Sequence, residues 1–345
     1  MDKIELLKLL NDIKEDDMPS LDEGERILII DGLNLFLRNF AVLNYINPEG
    51  THIGGLGGFL RSLGSLVKQL KPTSIYIVFD GVGSSINRKN LLPEYKSGRN
   101  MVRLTKHELF DNLEEENDSK IDQIVRIIQY LKTLPVKTVS LSRVEADDVI
   151  AYLSSTLPTA PEDRVFIVSS DKDYLQLVSK KITVYRPIEK EYYTEDTVIE
   201  KFGVTPHNFL LYKLLMGDNS DGITGIKGLG LKGLLKRFPE LAEQDMSFDD
   251  LIDISERKMK DHVIYSRVVH DIAGLKNKYM IMDLSNPMMS EQDKSNVDKF
   301  IKETQLEFHP KEFLEMYHND QIGGLIRNVE TWIQDIFKKL VINKS

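Results

Sequence analysis

Four apolar runs punctuate the first half of the chain. "ILII" (27–30), "SIYIVF" (74–79) and "RVFIVSS" (164–170) are short and rich in β-branched residues, and "VKTVSL" (136–141) is a weaker fourth. Runs of this length without polar alternation predict strands buried on both faces. Between them the apolar period lengthens to that of a helix. Leu56, Phe59, Leu60, Leu63 and Leu66 mark one helix over 55–70, and Ile121, Ile124, Val125, Ile128 and Leu131 mark another over 121–134. Strand and helix in alternation predict an α/β fold with a parallel sheet. Residues 3–14 read as a short amphipathic helix, joined by a polar linker to about Arg26. "TPHNFLLYKLLMG" predicts a helix with Thr205 as N-cap and Pro206 in its first turn. Past about residue 240 the pattern is mostly helical, with no internal repeat and no low-complexity tract.

The strands end on acids. Asp31 follows the first run, Asp80 the second and Asp171 the third, with Asp173 two residues on. A single Asp after a strand is ordinarily an N-cap or turn residue. Three in succession call for more, because sites in parallel sheets form at the carboxyl ends of the strands. "SRVEADDVIAYL" (142–153) adds Glu145, Asp147 and Asp148 at the mouth of a predicted helix. Ala146, Val149, Ile150 and Leu153 form its apolar stripe, and the three acids lie off it. Ser142 and Glu145 also fit a capping box, and first-turn acids favour the helix dipole. That accounts for one or two carboxylates and leaves the rest unexplained. Six or more carboxylates brought together repel, and divalent cations are the natural compensation. The chain has no Cys and 7 His. Hard, oxygen-bound Mg²⁺ or Mn²⁺ is therefore expected, rather than zinc or thiolate chemistry. Two such ions about 4 Å apart would hold an attacking water and stabilise a leaving oxygen in phosphodiester hydrolysis.

Charge refines this. A net charge of −9 over 345 residues argues mildly against nucleic acid, but its distribution is uneven. Residues 86–106 carry Arg88, Lys89, Lys96, Arg99, Arg103 and Lys106 against Glu94 alone, a block suited to gripping phosphates beside the acids. Residues 107–122 carry seven acids against Lys120 alone, read here as a solvated helix face. "GITGIKGLGLKG" (222–233) spaces Gly225, Gly228 and Gly230 before a new helix, with Lys227 and Lys232 beside them. Tight turns and exposed amides at a helix start suit a helix-hairpin-helix that holds nucleic-acid backbone. The P-loop pattern is absent. No run of 18 apolar residues occurs and the N-terminus lacks a signal-peptide core, so a cytoplasmic protein without a membrane span is expected.

Taken in order, "IIDGLNLFLR", "KPTSIYIVFDG", "RKNLLPEYKSGR", "VEADDVIA", "VSSDKDYLQLV" and "LLMGDNSDGITGIKGLGLKG" resemble the motifs of the flap-endonuclease family of 5′→3′ nucleases. The likeness is greatest to its phage and bacterial branch, including the phage replication ribonuclease H and the 5′-nuclease domain of DNA polymerase I. It spans about residues 27–238. It implies a PIN-like catalytic domain over 26–200, with an arch or clamp at about 82–122. A helix-three-turn-helix unit follows over 201–240, then a helical region over 241–345, with 1–25 as an extension. It implies that Asp31, Asp80, Glu145 and Asp147 serve a first metal. Asp148, Asp171, Asp173, Asp218 and Asp221 would serve a second. Lys96 and Arg99 would act on the scissile phosphate, and Arg88 would be a further basic residue of the arch. The glycine turn would hold duplex backbone, with a K⁺ ion. Implied partners are DNA with a 5′ flap, nick or RNA primer, and a single-strand-binding or other replication protein, with the chain a monomer. "DGITG" departs from the family's "DNIPG", which leaves this loop looser. Two other readings stand beside this one. "SSDKD" suits a strand–DxD phosphatase, which the missing early DxDxT and the glycine turn oppose. A non-catalytic DNA-junction binder would need a decayed acidic set, and all nine acids are present.

Overall fold

The computed structural model describes residues 24–96, 104–218 and 220–342. Its centre is a six-stranded sheet. β1 (Arg26–Asp31), β2 (Ser74–Val78), β3 (Lys137–Val139), β4 (Arg164–Val168) and β5 (Ile182–Arg186) run parallel, and β6 (Glu191–Tyr193) pairs antiparallel with β5. The spatial order is β3-β2-β1-β4-β5-β6. The four expected strands are present. β5 and β6, which the apolar pattern did not announce, extend the sheet beyond β4.

Alternate residues of the central strands feed two cores. Ile27 and Ile29 of β1, Val78 of β2 and Ile167 of β4 face one core. Leu28 and Ile30, Ile77 and Val168 face the other. Both sides are covered, which is why these strands read as unbroken apolar runs. The second face is covered by α1 (Gly32–Val42), α2 (Gly54–Leu70) and α4 (Leu113–Leu131), which follows the short α3 (Ile86–Leu91). The first face is covered by α5 (Ala146–Thr156) and by helices beyond residue 195. Those include α6 (Glu195–Phe202), α7 (Phe209–Met216) and α8 (Leu231–Arg237). Further on, α9 (Glu240–Glu243), α10 (Phe248–Arg257), α11 (Val263–His270), α12 (Ile272–Met282) and α13 (Glu291–Glu303) stay on that side, with Leu251, Val268, Leu275 and Val297 in the same core. The chain then returns to the opposite face through α14 (Pro310–Asn319) and α15 (Val329–Ile342). Among the described residues, no helix is long and apolar enough to cross a membrane.

Two local expectations change. α7 begins at Phe209, three residues after the expected start. Asn208 is fully buried, with its side chain bonded to the carbonyls of Leu241 and Gln244 and to the amide of Met246. That anchorage holds Thr205–Asn208 as a turn, closed by an Asn208 amide bond to Thr205 Oγ1. The acidic block 107–122 is not uniformly solvated either. Glu116 has no exposed surface and accepts from the Thr105 and Lys106 amides, Thr105 Oγ1 and Lys120. The expected helix at 3–14 lies outside the described residues.

Candidate metal centre

β1 and β4 are neighbours whose connections leave in opposite directions, the topological switch point at which α/β sheets form their sites. Asp31 ends β1 and caps α1, accepting from the Asn34 amide at 3.0 Å. Its other oxygen accepts from Ser169 Oγ at 3.1 Å. Asp80 reaches from the end of β2 to the Ala146 amide at 2.8 Å and thus caps α5. Both acids therefore cap helix amides, Asp31 as the N-cap residue of α1 and Asp80 from a separate strand. No capping box forms at α5. Glu145 is itself the N-cap residue, and its side chain turns away, taking Lys96 Nζ at 2.9 Å and the Tyr95 hydroxyl at 3.1 Å on Oε2.

Tyr174 joins Asp147 to Asp31. Its fully buried hydroxyl donates to Asp147 Oδ1 at 2.5 Å and lies 3.5 Å from Asp31 Oδ2. Burial and the charges of Asp147, Asp80 and Asp171 push the Asp31 carboxyl up to about 8. Burial likewise raises Asp80, against the Ala146 amide bond, with Asp147 adding to the rise. Glu145 Oε1 is buried without a hydrogen-bond partner. A buried carboxylate oxygen left without a donor, amid acids that repel, is what a cation at this position would satisfy.

A second group lies alongside. One oxygen from each of Asp173, Asp218 and Asp221 falls within 4.8 Å of the others. Lys213 of α7, itself buried, pairs with Asp173 and with Asp218 at 2.6 Å. Burial works against the Asp218 charge, but Lys213 and Ser220 hold its pKa down at about 2. An ammonium already seated among these oxygens shows that the pocket suits positive charge. Asp171 stands between the groups, accepting the Asp173 amide at 2.9 Å and acting electrostatically on Asp31. Lys96 meets both. Its side chain is on Glu145, and its amide donates to the Asp221 carbonyl at 3.1 Å from a left-handed backbone (φ 56°). A non-glycine residue held there is strained and kept by its surroundings. A cavity of about 540 Å³ opens beside Asp171, Lys213 and Asp218. A larger one, about 780 Å³, lies apart from the acids near His52 and Phe110.

Two expected site residues are placed otherwise. Arg88 is 3% exposed and cannot present its charge to DNA. Its guanidinium forms a bidentate pair with Asp148 at 2.6 and 2.9 Å, meets Glu145 at 3.1 Å, and donates to the Ile281 carbonyl. Burial disfavours the Arg88 charge, but Asp148 and Glu145 overcome it and raise its pKa. Asp148 points from α5 toward that pair. Its oxygens are taken by Arg88 and by the Met288 amide, so the structure does not bring it to the second group. The side chains of "ADD" diverge because neighbouring residues on a helix lie 100° apart.

The glycine turn joins α7 to α8 through a short pair, β7 (Gly217–Asp218) and β8 (Ile223–Thr224). A Cβ at Gly225 would lie 2.3 Å from the Met216 carbonyl carbon, and Gly228 has φ 79°. Lys227, Gly228, Gly230 and Lys232 face solvent, and no side chain caps α8. Arg99 lies outside the described residues. The sequence reading missed Tyr95, Tyr174 and Lys213. Lys213 left one signal, a lone charge inside the apolar run "LLYKLLM".

The doubly wound sheet, with acids clustered at the carboxyl ends of its central strands, places the chain among α/β proteins whose site lies at the switch point. The family model "5′-3′ exonuclease, N-terminal resolvase-like domain" matches residues 26–203, and the chain belongs to that family. It is 34% identical over 216 residues to a 5′-3′ exonuclease of Aquifex aeolicus, covering 61% of this chain and 69% of that protein. It is 28% identical over 299 residues to DNA polymerase I of Lactococcus lactis, covering 82% of this chain. The chain spans about a third of that polymerase's length (32%). The fold resembles the flap endonuclease of bacteriophage T5 in a pseudo-enzyme–product complex with DNA and metal ions. The TM-score is 0.64 at 20% identity, over 85% of this chain and 99% of that one.

Proposed function

We propose that this protein is a divalent-cation-dependent 5′ nuclease that hydrolyses phosphodiester bonds as a 5′→3′ exonuclease and flap endonuclease. The observation that carries the reading is Lys96, tied to Glu145 of one carboxylate group and to Asp221 of the other. Asp31, Asp80, Glu145 and Asp147 would hold one Mg²⁺ ion, and Asp171, Asp173, Asp218 and Asp221 a second, with Mn²⁺ able to replace either. When bound, the ions would supply an activated water and offset charge on the phosphoryl oxygens and the leaving oxygen. The chain's own groups position the substrate. Lys96, which bonds Glu145 here, and Arg99 would act on the scissile phosphate. Tyr174 would keep Asp31 and Asp147 oriented, and Lys213 pairs with Asp173 and Asp218, two of the acids that would hold the second ion.

The substrate read from this arrangement is DNA with a 5′ flap, nick or RNA primer. The segment 82–122 would pass or hold the single-stranded end, and the glycine turn would grip the duplex, with a K⁺ ion there. Such an enzyme serves primer or flap removal in replication as a cytoplasmic monomer, alongside single-strand-binding or other replication proteins. The polymerase and T5 likenesses support this reading. Cleavage of a 5′-labelled flap duplex with Mg²⁺, comparing wild type with Asp171→Asn, tests it. Loss of at least about 100-fold in rate is expected for a carboxylate that would hold a cation on the reacting phosphate. Wild-type protein that leaves nicked, gapped and flapped duplexes intact would sink the function, and an unimpaired variant would remove Asp171 from the site.

A further inference from the structure

The strongest unassigned feature is the segment that closes α12 and runs to Met288. Four backbone groups in these eight residues bond to side chains on three different elements of the carboxylate site. The Ile281 carbonyl accepts from Arg88 Nε at 2.8 Å, on the helix that leads to Lys96. The Met288 amide donates to Asp148 Oδ1 at 2.9 Å, on the helix that carries Glu145 and Asp147. The Met282 carbonyl and the Leu284 amide both bond Gln176, at 3.0 Å each, one turn after Asp173. Gln176 Nε2 also donates to the Asp173 carbonyl at 2.9 Å, which completes the amide's hydrogen bonding on that side.

The segment is also braced internally. Asp283 is 5% exposed and folds the loop around its carboxylate, accepting from the Ser285 amide and hydroxyl and from Asn286. Ile281 and Met282 are buried with Leu92 and Tyr95 at the foot of the basic block, and with Leu210 and Ile223 beside the second acidic group. Apolar packing and polar bonds thus converge from the same eight residues. Surface loops ordinarily satisfy their backbone groups with water or with their own turn. Here the loop spends them on side chains whose neighbours are the acids.

We propose that Ile281–Met288 is a positioning clamp that sets the separation of the two carboxylate groups. Arg88 and Asp148 fix the first group and Gln176 fixes the second. Arg88, Asp148 and Gln176 are positioning residues, and none of them needs to touch an ion or the substrate. The inference rests on the two-group cation reading given above, and it adds that residues beyond 280 are part of the centre. Partners that orient metal ligands from behind typically govern affinity by about 10- to 100-fold.

The test is Mn²⁺ binding by the full chain without DNA, followed by electron paramagnetic resonance, with thermal unfolding of the metal-free protein in parallel. Gln176→Met and Asp283→Ala are the two variants, the second lying in the loop and away from the acids. Each should weaken the looser of two Mn²⁺ binding steps by about 10-fold or more. Each should also raise the Mg²⁺ concentration for half-maximal cleavage by a similar factor, with the rate at saturating Mg²⁺ kept within about threefold. Gln176→Glu keeps the acceptor for Leu284 and loses both donated bonds, so it should fall between wild type and Gln176→Met. Lowered unfolding temperature with wild-type Mn²⁺ affinity in both variants makes the loop merely structural and overturns the clamp. Wild-type protein that binds two Mn²⁺ yet cleaves nothing removes the nuclease reading and leaves the clamp standing.

Discussion

Glu116 has no exposed surface although it stands in the most acidic stretch of the chain. Burial alone would raise its pKa. Lys120, Thr105 and the Thr105 and Lys106 amides overcome this and hold it down at about 2, from an ordinary 4.5. A carboxyl whose pKa is lower in the folded than in the unfolded state stabilises the fold above the unfolded value. That stabilisation is lost as pH falls through the folded value. Glu116 should therefore contribute about 3 kcal/mol at neutral pH, disappearing between about pH 4.5 and pH 2. Urea unfolding of Glu116→Gln against wild type at pH 7, 4 and 2.5 reads this directly. The gap should be widest at pH 7 and reduced to about a quarter of that at pH 2.5, and a pH-independent gap would show that packing rather than charge is lost. Glu116 also shows where residue-level reading fails. Six of its neighbours in the block are the surface acids the pattern suggested, and composition cannot single out the one whose donors come from Thr105 and Lys106.

At the scale of elements, the legible part is what chain-local chemistry controls. Strands buried on both faces, strand-end acids and the α2 stripe were all readable. Asp31 and Asp80 could be seen as caps or as site residues; both do cap helices, Asp80 from a different strand, and each still lies close enough to the other acids to feel their charge. What could not be read depends on partners distant in sequence. Arg88 and Asp148 are 60 residues apart, and each alone reads as solvent-facing charge in a basic loop or as one more acid in a cluster. β5 is buried over its last three residues, but Thr183 and Arg186 break its apolar run, and β6 is only three residues long with one of them buried. The turn between α7 and α8 is the element whose charge can be tested in isolation. Lys232 lies in the first turn of α8 and is exposed. If it meets a phosphate, Lys232→Ala should weaken duplex binding equally across sequences and lower the slope of log K against log salt by about 1. Fluorescence anisotropy over a salt series, with Ca²⁺ replacing Mg²⁺ to prevent turnover, measures it. An unchanged slope would place the duplex elsewhere.

At the scale of the whole molecule, the last third is not an appendage. After α13 the chain crosses to the opposite sheet face, where α15 packs on α2 and α14 packs against α4 and α15, so Phe313, Tyr317, Ile333 and Phe337 share a core with Leu28 and Ile30 of β1. The contact is close. Trp332 lies against Gly64, where a Cβ would come within 2.2 Å of the indole, so only glycine lets the helix approach. The N-terminal motifs and the C-terminal helices should consequently unfold as one unit. Trp332 is the only tryptophan in the chain, so its fluorescence reports this interface while far-UV circular dichroism reports the whole. Phe337 is fully buried, and Phe337→Ala should cost about 3–5 kcal/mol through lost burial and the cavity left behind. The two probes should move together in wild type and variant, with a common midpoint shifted to lower denaturant. If Trp332 were released at lower denaturant than the dichroism signal, α14 and α15 would be a separately stable layer. The sheet that carries Asp31 would then owe them nothing. Coincident loss makes the opposite point, that the strand positioning the first acid is held in place by residues 300 positions away.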